Sequence, residues 1–256
     1  VIRDVGGSYR RAIIETVHHY SGLRPDPATI DALKAEGCWN NDWQAALELL
    51  RRAGHAQARQ RPLPAFEALV AVFNGFYFGG DPDGDPAAWR GFIGDEPLLV
   101  EAGLFAALRQ AGIAWGFVSG AEPPSARFVL QRRLGLDDPP LIAMGDAPDK
   151  PDPTGLLRLA SELAGPLGPG APPVAYLGDT VADVLTVLRA RQRVPGQRFL
   201  ALGVAPPHLQ LAGAAARRAP YEAQLRQAGA DAVITATAVV LEELETLLGS
   251  RQGGGC

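Results

Sequence analysis

Three short stretches between residues 116 and 184 hold residue types that could handle a phosphate and a metal ion. In GFVSG an apolar run delivers Ser119 and then Gly120, a hydroxyl beside backbone N–H groups that could hold an anionic oxygen. In DAPDKPDPTG, Lys150 precedes Pro151, Asp152 and Pro153, and the two prolines restrict the backbone around a compact positive charge. In VAYLGDTVADV, Asp179 and Asp183 stand four residues apart at the mouth of a helix, so both carboxylates face one side of its first turn. Like charges so placed repel unless a cation lies near them, and hard oxygen ligands suit Mg2+. Each stretch also has a plainer reading: a strand-end turn, a solvated lysine, and acids that cap a helix. Asp4 with Gly6 and Gly7, near the front, reads equally as a cap or loop acid. Taken in order, hydroxyl, lysine and carboxylate pair specify a pocket for phosphate plus a divalent cation.

Such groups collect where the strands of a parallel sheet end at their carboxyl edge, and the surrounding sequence has that build. From about Pro97 the pattern runs helix (Leu99 to Ala111), strand (Ala114 to Val118), helix (Pro124 to Leu134), strand (Leu141 to Met144), helix (Thr154 to Leu163), strand (Val174 to Leu177) and helix (Ala182 to Arg189). A strand ending in Gly203 and a last strand-helix unit in GADAVITATAVVLEEL complete it. This alternation predicts an α/β fold, a Rossmann-like three-layer parallel sheet core. The first part is different. Helical spacing marks Tyr9 to Tyr20, Pro27 to Lys34, Trp43 to Ala53 and Ala65 to Phe73, before the Gly, Asp and Pro stretch GGDPDGDPAAW. The division expected is a linker at 1–8, an inserted all-helical cap at 9–90, the α/β core at 91–249 and a disordered tail at 250–256.

Composition narrows the class. The chain has 256 residues, 47% hydrophobic and 20% charged, enough for one large core or a core with a small second domain. A net charge of -4 with no basic block argues against a nucleic-acid partner. Two cysteines, Cys38 and Cys256, cannot build a disulfide framework. No apolar stretch approaches a membrane span, so the expectation is a cytoplasmic protein with no membrane partner, as monomer or homodimer.

The order of these motifs resembles the haloacid dehalogenase-like superfamily, in the form that bears a helical cap after the first strand. Ser119 in GFVSG resembles the family's second motif, Lys150 in DKPDP the third, and Asp179 with Asp183 in GDTVAD the fourth. The resemblance implies phosphoryl transfer to an aspartate, Mg2+ as cofactor and a small phosphorylated metabolite as substrate. It assigns Ser119 and Gly120 to a phosphoryl oxygen and Lys150 to the charge on nucleophile and phosphate. Asp179 and Asp183 become metal ligands, with Asp183 serving otherwise to orient Lys150. The family's Asp-x-Asp-Gly nucleophile motif is absent from this sequence. Val1-Ile2 and RDVGGSYRRA resemble the stretch that leads from that motif into the cap, so the resemblance places the motif immediately before residue 1, on a central strand, and a trimmed start is the expectation. The chain as given is then expected to be inactive.

Substrate choice falls to the cap in this reading, and Arg10, Arg11, Trp39, Asn40, Asn41 and Trp43 are the candidates. A packing role for Trp43 and a helix-capping role for Asn40 or Asn41 stand beside it. The alternative function is a catalytically silent protein of the same fold that binds a phosphorylated ligand or a protein partner. A Rossmann-type redox enzyme is disfavoured, since no G-x-G-x-x-G comes after the first visible strand.

Overall fold

The computed structural model describes residues 1–39, 41–56 and 62–249; Asn40 and the expected tail at 250–256 lie outside them. Four helices come first: α1 (Tyr9–Ser21), α2 (Pro27–Ala35), α3 (Asp42–Ala56) and α4 (Phe66–Tyr77). Their apolar spacing puts Ile13, Val17, Ile30, Leu33, Ala46, Leu50, Leu69 and Phe73 into one buried cluster. Local chemistry sets the ends. Asp26 caps α2 by accepting from the Thr29 backbone N–H at 2.7 Å, with Pro27 in the first turn. α4 runs four residues past its expected end because Tyr77, fully buried, continues the face that Leu69 and Phe73 begin.

The second part alternates strand and helix: α5 (Ala102–Gln110), β1 (Phe117–Val118), α6 (Pro123–Arg127, continued as a π-helix over Phe128–Arg133), β2 (Leu141–Ile142), α7 (Thr154–Ala164), β3 (Val174–Gly178), α8 (Val181–Arg193), β4 (Phe199–Val204), α9 (Pro207–Gln210), α10 (Ala215–Gln227), β5 (Ala232–Ile234) and α11 (Val240–Gly249). All strand pairs are parallel. β1 lies on β2 with Phe117 opposite Leu141, and β3, β4 and β5 lie side by side in that order, with Val174 opposite Phe199 and Leu202 opposite Ala232. β4 is buried at every residue, which its unbroken FLALGV run requires. The fold is a Rossmann-like parallel α/β core with a helical cap.

β1 and β3 do not pair. A cavity of about 800 Å3 lies between their edges, lined by Trp115, Phe117, Ala175 and Leu177 on the strands and by Leu108, Leu159 and Leu244 from the helices. The N–H groups of Phe117 and Ser119 donate to Pro140 and Ile142, toward β2, so Val118 faces the cavity. With one ladder only, β1 keeps two of the five residues expected of it.

The cap connects to the core by two segments that lie side by side. Arg3 and Leu98 form an antiparallel bridge, flanked by hydrogen bonds from Asp4 N to Pro97 O (2.8 Å) and from Leu99 N to Ile2 O (2.9 Å). Val1 and Ile2 pack on the core cluster of Val100, Phe105 and Leu108. Beneath the bridge Arg3, 9% exposed, donates to Glu96 at 2.6 Å, to Tyr77 at 3.0 Å and to Ser125 at 3.2 Å. Ser8 donates to Glu96 at 2.5 Å and Tyr9 to Ser125 at 3.2 Å. Every member is buried, and the network joins both connections, α1, α4 and α6.

Candidate active site

The three motifs converge at the carboxyl ends of β1 and β3. Ser119 leaves β1 and turns at Gly120, and its hydroxyl oxygen accepts from the Ala121 N–H at 3.0 Å. The Ala121 donor is thereby used, and the Ser119 N–H serves the strand ladder, so the Ser119 hydroxyl and Gly120 remain to meet an anion. Lys150 lies before α7, where Asp152 accepts from the Thr154 N–H at 2.9 Å to start the helix. Its ammonium donates to Asp183 Oδ1 at 2.6 Å and reaches the Tyr176 hydroxyl at 3.3 Å. Tyr176 in turn donates to the cavity-facing carbonyl of Val118 at 3.3 Å.

α8 holds Asp183 by a capping box. Thr180 donates to Asp183 Oδ2 through its N–H at 3.0 Å and its hydroxyl at 2.7 Å, and the hydroxyl accepts the Asp183 N–H at 3.2 Å. Gly178 is required here, since a Cβ at that position would lie 2.1 Å from the Asp183 Cβ. Burial acts to lower the Lys150 pKa, but the Asp183 charge outweighs it and raises the ammonium above its ordinary value. Burial likewise acts to raise Asp183, and Lys150 outweighs it and holds the carboxyl low. Burial pushes the Tyr176 hydroxyl up. Lys150 is therefore a fixed cation, with the side chain only 15% exposed.

Mg2+ takes near-octahedral oxygen ligands, and the residues present do not fit it. Asp183 Oδ1 accepts from Lys150 and Oδ2 from Thr180, an arrangement that suits a carboxylate orienting the lysine. Asp179 lines the cavity as well, and its backbone carbonyl accepts from Tyr221 at 2.6 Å. Two carboxylates are too few for such a shell, and among the described residues no group of three candidate ligands occurs.

Of the cap candidates, Arg10 lines the same cavity as Ser119, Gly120, Lys150, Asp179 and Asp183. The other described candidates are occupied elsewhere. Asn41 caps α3, accepting from the N–H groups of Trp43 (3.0 Å) and Gln44 (3.1 Å). Trp39 donates its indole N–H to Glu36 at 2.7 Å, Arg11 stacks over Phe92 at 4.0 Å, and Trp43 packs against the cap core. The sequence reading passed over Asp31, Lys34, Asp42, Tyr176, His208 and Tyr221, all of which line the cavity. Only Tyr176 gave a signal, a polar tip inside the otherwise apolar VAYLG run.

Residues 92–191, which carry all three motifs, match the family described as haloacid dehalogenase-like hydrolase. That stretch is a haloacid dehalogenase-like hydrolase segment. Two solved structures share the fold of the chain. A phosphonoacetaldehyde hydrolase-like protein from Oleispira antarctica superposes with a TM-score of 0.65 at 16% identity, over 98% of this chain and 88% of its own. Phosphatase Tt82 from Thermococcus thioreducens does so with a TM-score of 0.57 at 21% identity, over 79% and 89%. A protein of Phytophthora nicotianae named imidazoleglycerol-phosphate dehydratase is 31% identical over 194 residues, 74% of this chain. The chain spans 39% of that relative's length. Among the described residues, no helix is long and apolar enough to cross a membrane.

Proposed function

We propose that this chain is the phosphate-binding body of a phosphomonoesterase that acts on a small phosphorylated metabolite. The observation that carries the reading is Lys150, fixed by Asp183 at 2.6 Å on the cavity that Ser119 and Asp179 also line. Ser119 donates its hydroxyl hydrogen to a phosphoryl oxygen, and Lys150 offsets negative charge as the transferred group approaches. Asp183 and Tyr176 keep the ammonium in place. Asp179 adds one oxygen toward a cation, and the Mg2+ that the superfamily resemblance implies needs further carboxylates.

The attacking carboxylate is the remaining part. An apolar parallel strand between β1 and β3 would find a ladder edge on each side and would end beside Ser119, Lys150 and Asp179. A carboxylate at its tip is the nucleophile in this reading, which makes residues 9–90 a cap over the site and 91–249 its core.

The test compares the 256-residue chain with the same chain extended at Val1 by a short apolar strand ending in Asp-x-Asp-Gly, using Mg2+ and p-nitrophenyl phosphate. The unextended chain should give no turnover. The extended chain should give turnover that Lys150→Met abolishes. Turnover by the unextended chain that disappears on Asp179→Asn would overturn the assignment of the nucleophile to that strand. Phosphate binding without turnover in the extended chain would favour a silent phosphate-binding protein, a reading the single free carboxylate also suits. Because the Phytophthora nicotianae relative bears its name, imidazoleglycerol phosphate belongs among the substrates tried.

A further inference from the structure

On the wall of the same cavity five residues from cap and core come together: Arg10 of α1, Asp31 of α2, Asp179 after β3, His208 of α9 and Tyr221 of α10. Arg10 Nη2 lies 2.5 Å from Asp31 Oδ1. Asp31 Oδ2 is 3.1 Å from His208 Nε2, and the Tyr221 hydroxyl donates to the Asp179 carbonyl. Two polar atoms are left over. Arg10 Nη1 is buried with no hydrogen-bond partner, and Asp31 Oδ1 meets Arg10 as an ion pair out of hydrogen-bonding alignment. A buried donor with no partner thus stands beside a buried carboxylate oxygen whose contact is an ion pair, with lone pairs to spare.

We infer that this wall binds a hydroxyl-bearing leaving group, so that the esters taken are phosphates of polyols or sugars; this rests on the phosphatase reading above. A hydroxyl gives one hydrogen and accepts two, so it satisfies the Asp31 oxygen and the Arg10 N–H together. A second anion does not suit the wall. The one guanidinium there is already paired with Asp31, and Lys34, the other cap cation on the cavity, is neutralised by Asp42 at 2.5 Å. An ammonium group would meet Arg10, and an alkyl group would leave the Arg10 N–H unpaired. The wall also spans cap and core, so it forms only when the two are together, as a device for choosing the leaving group requires.

Isothermal titration of the chain in metal-free buffer separates the possibilities, with inorganic phosphate, ethyl phosphate, ribose 5-phosphate and phosphoglycolate as probes. Ribose 5-phosphate should bind about tenfold more tightly than ethyl phosphate, the worth of a hydrogen bond to a charged group. In Asp31→Asn, and in Arg10→Gln as a second variant, that ratio should fall toward one. Ethyl phosphate or phosphoglycolate binding as tightly as ribose 5-phosphate, while inorganic phosphate still binds, would overturn the inference and leave the phosphatase reading standing. Failure of every probe to bind would overturn both. The comparison of the two esters is made on the unaltered chain, so it is decisive even where a variant fails to fold.

Discussion

Glu122, at the start of α6, is a half-buried acid with an unusual proton affinity. Burial pushes its carboxyl up to about 7; a hydrogen bond from Asn74 acts the other way, and the charge of Asp83 adds to the rise. Glu122 Oε2 and Asn74 Oδ1 are both buried without a partner, and protonation gives Oε2 a hydrogen to offer. Between the ordinary 4.5 and about 7 the folded chain holds a proton that the unfolded chain has released. Stability contributed here therefore falls as pH rises through that window and is flat above it. Thermal melts from pH 4 to pH 8 should show this slope, and Glu122→Gln should remove it and raise the melting temperature at the alkaline end. At Asp183, replacement by Asn leaves the Lys150 ammonium buried and uncompensated, at a cost of about 3 kcal/mol in chemical denaturation. The sequence made Ser119, Lys150 and the two aspartates legible because their order along successive strand ends is a local pattern. The sequence left two roles open for Asp183, and which carboxylate Thr180 and Lys150 reach is decided only when α8 packs behind β3.

At the scale of elements, the β3–α8 turn is the tightest demand the site makes. Gly178→Ala would drive a methyl group into Asp183, so the strand and helix must separate or the capping box must break. A loss of about 1–3 kcal/mol is expected, with weaker phosphate binding because Lys150 loses its anchor; an unchanged denaturation midpoint would count against this account. The helices and strands of the core were largely legible, since their apolar periodicity is strong and each is closed by a turn. α10 was not. Its AARRAPYEAQLRQ run buries only Leu225 and contains Pro220, so neither an apolar stripe nor an uninterrupted helical sequence marks it. β1 was overextended for the opposite reason: Ala114 to Val118 has strand composition, and only tertiary pairing decides how much of it joins a ladder.

At the scale of the whole molecule, the Arg3–Glu96 network ties the two connections to α1, α4 and α6. A guanidinium, a carboxylate, two tyrosines and two serines share one buried site at the base of the cap. Arg133 adds a hydrogen bond to the Glu96 carbonyl. Removing one charge leaves the other stranded, so Arg3→Met and Glu96→Gln should each cost about 3–5 kcal/mol, and the double variant less than their sum. Additive losses in a double-mutant cycle would show that the pair is not coupled. Since the weld sits where the two connections run side by side, hydrogen exchange should find the base of the cap among the slowest regions.

The cavity between β1 and β3 also carries its own optical reporter. Of the four tryptophans, Trp39, Trp43 and Trp89 belong to the cap side, while Trp115 alone lines the cavity, with its indole N–H bonded to the Phe105 carbonyl at 3.0 Å. In a chain with phenylalanine at the other three positions, Trp115 emission would shift to shorter wavelength as an inserted strand displaces water from the ring. The joining of the two half-sheets could then be followed in real time, by fluorescence and without any substrate.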